Sequence, residues 1–176
     1  MIRRLSSVAC FVVIGLVLPV LFLVHDTEHI ERTHVSTADT VNQSLVVQTQ
    51  GFVAGSSDPL PGVFDGRAAS HFAVVRGVVL NAEVALILLS VLAVVLGASR
   101  NVFYEAGIGV FATVVLLGGL AYLDFSLFFD WFHRLFFEPG TYVFSESSLT
   151  LQLFPVRFFQ VLAFDAVLGW LCSAVV

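Results

Sequence analysis

Apolar residues gather in four stretches, roughly Leu5–Val24, Val75–Leu96, Phe103–Leu123 and Val156–Val176. Each is close to the ~20 residues that carry a helix across a bilayer. Between them lie two polar, interrupted segments, residues 25–74 and 124–155. The pattern predicts an all-α integral membrane protein: one domain over residues 1–176, with four transmembrane helices and two extracytoplasmic segments. Only Gly97-Ala98-Ser99-Arg100-Asn101 separates the second and third stretches, which predicts a tight helical hairpin.

Within the first polar segment, His25 to about His34 reads as a continuation of the first helix above the bilayer. Leu45-Val46-Val47-Gln48-Thr49-Gln50 is rich in β-formers and predicts a short strand. Gly55-Ser56-Ser57-Asp58-Pro59 and Pro61-Gly62 are turn signals. In the second segment, Phe125–Phe137 predicts an interfacial aromatic helix, stopped by Pro139-Gly140, with Thr141–Phe144 extended after it.

Composition agrees with the pattern. Hydrophobic residues make up 58% of the 176 and charged ones only 12%, where soluble domains approach a quarter. Arg3 and Arg4 give the first stretch a basic start, but no small-residue cleavage pattern follows it, so it reads as an uncleaved helix. Arg3, Arg4 and Arg100 mark the cytoplasmic side. Asp26, Glu28, Glu31, Asp39, Asp58 and Asp65 outweigh Arg32 and Arg67 in the first polar segment. The expectation is a multi-pass cell-membrane protein with both termini cytoplasmic and both polar segments outside. Asn42-Gln43-Ser44 is a glycosylation triplet consistent with that side and common by chance. Cys10 and Cys172 both fall within helices, so no outer disulfide framework is available and no redox C-x-x-C exists.

Several side chains carry chemistry. His71 stands at the mouth of the second helix, with Arg76 and Glu83 following at a seven-residue interval on one face. Ionisable groups inside a span pair with one another or line a polar cavity. Arg76 is therefore expected either to pair with Glu83 or Asp165, or to anchor an anion or carbonyl below His71. His133 lies among Trp131, Phe132, Leu135, Phe136 and Phe137. A lone histidine in such company is more often structural. With His71 on the same side, however, two histidines with an arginine nearby supply a general base and an oxyanion stabiliser, the minimum for acyl transfer. Trp131, Arg134, Phe136 and Tyr142 are the expected substrate contacts. A competing cluster, His25-Asp26-Thr27-Glu28-His29, matches H-x-x-E-H and on a continuous helix could hold zinc, with Glu28 as base. A solvated helix extension explains it more simply. Gly107, Gly109, Gly118 and Gly119 suit close helix packing. No nucleophile elbow, phosphate-cradling loop or basic nucleic-acid patch is present.

The order of these features resembles the four-helix membrane family that includes lipoprotein intramolecular transacylase. The matching segments are Ser70-His71-Phe72-Ala73-Val74-Val75-Arg76, Phe132-His133-Arg134-Leu135-Phe136-Phe137 and Leu153-Phe154-Pro155-Val156-Arg157-Phe158-Phe159. The resemblance implies movement of an acyl chain from the sn-2 oxygen of a lipoprotein's diacylglyceryl cysteine to that cysteine's α-amino group. His71 and His133 would be the acid–base pair and Arg76 the basic residue. Val74 departs from the aspartate of the pattern, Arg134 from an acid, Tyr142 from a tryptophan, and Ser145 and Ser148 from a more acidic segment. The expected partner is a membrane lipid or lipoprotein substrate, with no cofactor, no metal and no nucleic acid. The alternative class is a non-catalytic membrane protein that binds a lipid or partner through its aromatic surface.

Overall fold

The computed structural model describes residues 2–38 and 42–173, with side chains to Trp170. Among these residues every regular element is a helix: α1 (Ile2–His25), α2 (Thr27–Thr37), α3 (Gln43–Val53), α4 (Gly66–Leu96), α5 (Arg100–Leu123), α6 (Phe125–Phe136), α7 (Leu149–Leu153) and α8 (Val156–Ser173). Helices α1, α4 and α5 are long and apolar enough to cross a membrane. The expected all-helical membrane protein is thus the architecture observed.

Local sequence sets the helix starts. Asp26, Asn42, Asp65, Ser99, Asp124 and Ser148 each accept a hydrogen bond from the backbone N–H three residues on, which satisfies a donor the first turn leaves open. Gly97 ends α4 at φ 76° and Gly140 turns the chain after α6 at φ 84°, a region that glycine enters without a Cβ clash.

Helix α1 is the hub, packing against α4, α5 and α8. The expected hairpin is not formed. α4 and α5 each lie on α1 and touch each other at few points, because α1 fills the space between them. Close approach of α1 and α5 depends on Gly15 and Gly109, where a Cβ would come within 2.8 Å of Val110 and Val12 respectively. Gly118 makes a looser approach to α8, with a Cβ 3.3 Å from Val167, whereas Gly107 and Gly119 face open space, so two of the four expected packing glycines serve that role. Pro19 supplies a further tie. Its missing N–H leaves the Gly15 carbonyl without its helical partner, and the Trp170 indole N–H donates to that oxygen at 3.1 Å.

The main core sits at the opposite end of the bundle from Arg3 and Arg100. Ile30, Val46, Phe64, Ala68, Phe72, Leu153, Phe154 and Phe158 join α2, α3, α4, α7 and α8 there. The expected strand at Leu45–Gln50 is instead α3. Its β-branched residues are overridden by the Asn42 cap and by a buried stripe of Val46, Thr49 and Gln50, which has helical rather than alternating spacing. The expected continuation of α1 through His34 is broken at Asp26, which leaves helical geometry (φ −83°, ψ 85°) to cap α2. α6 follows the expected aromatic helix to within a residue. The turn after it runs through Tyr142, so only Val143 and Phe144 of the expected extended stretch lie beyond it.

Candidate active site

At 31 residues, α4 is about 46 Å long, well beyond the ~30 Å of a bilayer core. Its first turns, Gly66 to His71, carry the polar residues Arg67, Ser70 and His71. Arg67, Ser70, His71 and Val74 recur at helical spacing and form one wall of a cavity of about 450 Å³. The other wall is the end of α6 and the turn after it, Phe136 to Thr141.

His71, in the α4 wall, meets His133, which lies behind the cavity lining, with ring centroids 6.2 Å apart and planes 15° from parallel. Phe137 contacts both imidazoles, at 4.8 and 5.3 Å. Phe144 closes on His71 at 5.4 Å and Phe129 on His133 at 4.0 Å. His133 is buried and its Nδ1 lies 2.7 Å from the Phe129 carbonyl. A carbonyl only accepts, so Nδ1 carries the proton and Nε2 keeps the lone pair. His71 Nδ1 is buried without a hydrogen-bond partner among the described residues.

Both rings are held neutral. Burial lowers His71 to about 4, helped by the adjacent His133. Burial also lowers His133, against raising contributions from the Phe129 carbonyl and Asp130.

His133 is braced from its own helix and from the following turn. The Tyr142 ring lies 4.9 Å from the imidazole, and its hydroxyl donates to Asp130 Oδ1 at 2.8 Å. Arg134 holds the other Asp130 oxygen at 2.8 Å. The hydrogen bond to Asp130 raises the Tyr142 pKa, so the phenol stays protonated as the donor.

Of the expected substrate contacts, Phe136 lines the cavity, Tyr142 and Arg134 form this brace, and Trp131 projects 53% exposed from α6 without lining it. Arg76 does not line it either. Its guanidinium donates to the carbonyls of Phe52 (2.8 Å), Ser56 (2.9 Å) and Gly55 (3.3 Å) and lies over the Phe52 ring, tying the end of α3 to α4. The expected pairing of Arg76 with Glu83 or Asp165 gives way to other partners, since Glu83 contacts His25 at 2.7 Å and Asp165 contacts His29 at 3.1 Å. Those contacts also disperse the expected zinc set. The break at Asp26 removes the shared helical face, Glu28 pairs with Arg32, and no group of three metal-ligating side chains converges among the described residues.

Sequence reading missed Arg67 and Glu138. Arg67 sits four residues before His71 and donates to the Val143 carbonyl at 3.1 Å, and Glu138 faces the same cavity. The four-residue spacing on a capped helix was the available signal for Arg67. Nothing local marked Glu138.

Fold and site together define a class: an all-helical membrane protein with a stacked histidine pair beside a cavity at one end of its bundle. The model of the family described as lipoprotein intramolecular transacylase, Lit, matches residues 37–159, and the chain belongs to that family. In fold it is similar to the membrane integral lipoprotein intramolecular transacylase Lit from Bacillus cereus, with a TM-score of 0.79. That match covers 98% of this chain and 89% of the other, at 15% sequence identity. Among curated proteins no match is found.

Proposed function

We propose that this protein catalyses acyl transfer on a lipoprotein anchor at the outer leaflet, moving the chain from an ester oxygen to the α-amino group of the lipidated cysteine. The observation that carries this reading is the His71–His133 stack beside a cavity in a chain of this family. In this reading α8 is a fourth span, both termini are cytoplasmic, and α6 lies along the outer surface of the cell membrane. The exposed Leu127, Trp131, Phe132 and Leu135 suit a headgroup layer.

The chemistry follows from the two tautomers. His133, with Nδ1–H fixed on Phe129, presents Nε2 as the base for the attacking amine. His71 places its unpartnered nitrogen in the protein interior, where an acceptor is tolerated better than an orphaned N–H. Its proton then sits on Nε2, able to donate to the oxyanion. The amine nitrogen bonds to the ester carbon, its proton passes to His133, and collapse of the tetrahedral intermediate breaks the bond to the glycerol oxygen. That oxygen takes the proton back from His133. Glu138 attracts the substrate ammonium, which releases one proton to solvent and attacks as the neutral amine, and Arg67 attracts a carbonyl or phosphate of the anchor, while Arg76 acts as a positioning residue through α3.

The test is mass spectrometry of lipoprotein N-terminal peptides from a host lacking its own transacylase, with and without this protein. The expected product is N-acylated, singly O-acylated cysteine. Loss of a general base costs roughly 10²–10⁴-fold, so His133→Ala should lower the product at least ~10²-fold. Full turnover in His71→Ala or His133→Ala would overturn the mechanism. It would favour the non-catalytic lipid-binding reading, in which the exposed aromatics of α6 matter and the histidines do not.

A further inference from the structure

Near the opposite end of the bundle, the separation of α4 from α5 leaves a second cavity of about 380 Å³. Phe11 and Ile14 of α1 form its back, Ala93 and Val94 of α4 one side, and Ala98 and Phe103 the other. Ser90 also lines it, but its hydroxyl is already bonded to the Leu86 carbonyl, so the walls are apolar in effect. Phe11 and Phe103 stack at 4.8 Å across the α1–α5 contact. The cleft opens sideways past Val94, which is 81% exposed on the face of a helix built to lie in lipid.

Its mouth is basic. Arg100 opens α5 three residues before Phe103, so both lie on one helix face, and no described residue pairs with it. Arg3 is fixed beside the same turn, donating to the Leu96 carbonyl at 2.7 Å and the Val95 carbonyl at 3.4 Å. Of the three arginines at this end, only Arg4 is neutralised among the described residues, by Glu105.

We propose that this cleft binds one anionic phospholipid, with an acyl chain between α4 and α5 and the phosphate on Arg100 and Arg3. A neutral apolar wedge alone would take any chain. Two uncompensated guanidiniums at the turn beside it select a lipid that carries net negative charge, as basic pockets between membrane helices do. The bound lipid supplies the packing that α4 and α5 do not give each other. This site is separate from the histidine cavity and does not depend on its chemistry.

The test is native mass spectrometry of the full chain in detergent, titrated with phosphatidylglycerol or with phosphatidylcholine of identical acyl chains. Phosphatidylglycerol should be retained at least ~10-fold better, and Arg100→Gln should reduce its retention about fivefold while leaving phosphatidylcholine unchanged. Val94→Trp fills the cleft from an exposed position and should lower retention of both lipids. Leu88→Trp, at a position 64% exposed and outside the cleft, should lower neither. Equal retention of the two lipids, an unchanged R100Q, or V94W indistinguishable from L88W would each overturn the proposal.

Discussion

The imidazole of His71 stacks on that of His133 at 6.2 Å, and Phe137 covers both. Two rings so close are not readily both charged as imidazolium. Burial is the main reason both rings rest neutral, and at His71 the adjacent His133 adds to it.

Stability should therefore fall on acidification. Burial lowers His71, His133 and His34 below the ordinary histidine value of 6.5. Below that value the unfolded chain takes up protons that the folded chain refuses, so the equilibrium shifts toward unfolding. The loss begins as pH drops through 6.5, and the His71 contribution is complete near pH 4. The thermal midpoint in detergent should decline by a few degrees over this window. His71→Asn should flatten the slope, and a midpoint that rose toward pH 4.5 would contradict the buried, neutral pair.

Activity should show the same asymmetry. Because burial lowers His133 below the ordinary histidine value, the acid limb of kcat for acyl transfer should be displaced below 6.5, with the profile levelling toward pH 8. A limb centred at 6.5 or above would mean that the working base is exposed or is another group.

Much of this was legible in the sequence because hydrophobic length and helix caps are local signals. α6 and the place of His71 and His133 at one end of the bundle could be read from them. The surroundings of Arg76 could not, since its carbonyl partners come from a turn some twenty residues earlier whose fold depends on α3. The α3 error has the same origin. Leu45-Val46-Val47 reads as strand by composition, and only the Asn42 cap with the Val46, Thr49 and Gln50 stripe reverses that. The loss of the hairpin was invisible, because a short turn between two spans says nothing about a third helix inserted beside both.

Tyr142 should matter through Asp130 rather than by touching substrate. Tyr142→Phe keeps the ring against His133 and removes the 2.8 Å bond to Asp130, so the thermal midpoint should drop slightly. KM should hold while kcat falls, since the imidazole is less well aimed. Asp130→Asn should behave similarly, and a KM rise with unchanged kcat in both would instead make Tyr142 a binding residue.

Arg76 offers a clean separation of roles. Arg76→Lys keeps the charge but cannot span three carbonyls, so it should destabilise by about 1–2 kcal/mol. Turnover per folded molecule should then fall less than about tenfold. An oxyanion donor would cost roughly 10²–10³-fold, so a loss of that size in well-folded R76K would return Arg76 to the reaction centre.

The Pro19 site can be tested by a double-mutant cycle. The Trp170 indole donates to the Gly15 carbonyl at 3.1 Å because Pro19 has no N–H to offer it. Trp170→Phe alone should destabilise the fold by about 1 kcal/mol, the usual worth of such a bond. In a Pro19→Ala background the restored backbone N–H can take the Gly15 carbonyl within α1, as in any uninterrupted helix. There the same Trp170→Phe change should cost only the packing difference between the two rings. Interaction energies between contacting residues run about 0.5–3 kcal/mol, so a coupling near the lower end of that range is expected. Strict additivity of the two changes would show that the indole contributes by packing alone and that the proline-freed carbonyl is satisfied elsewhere.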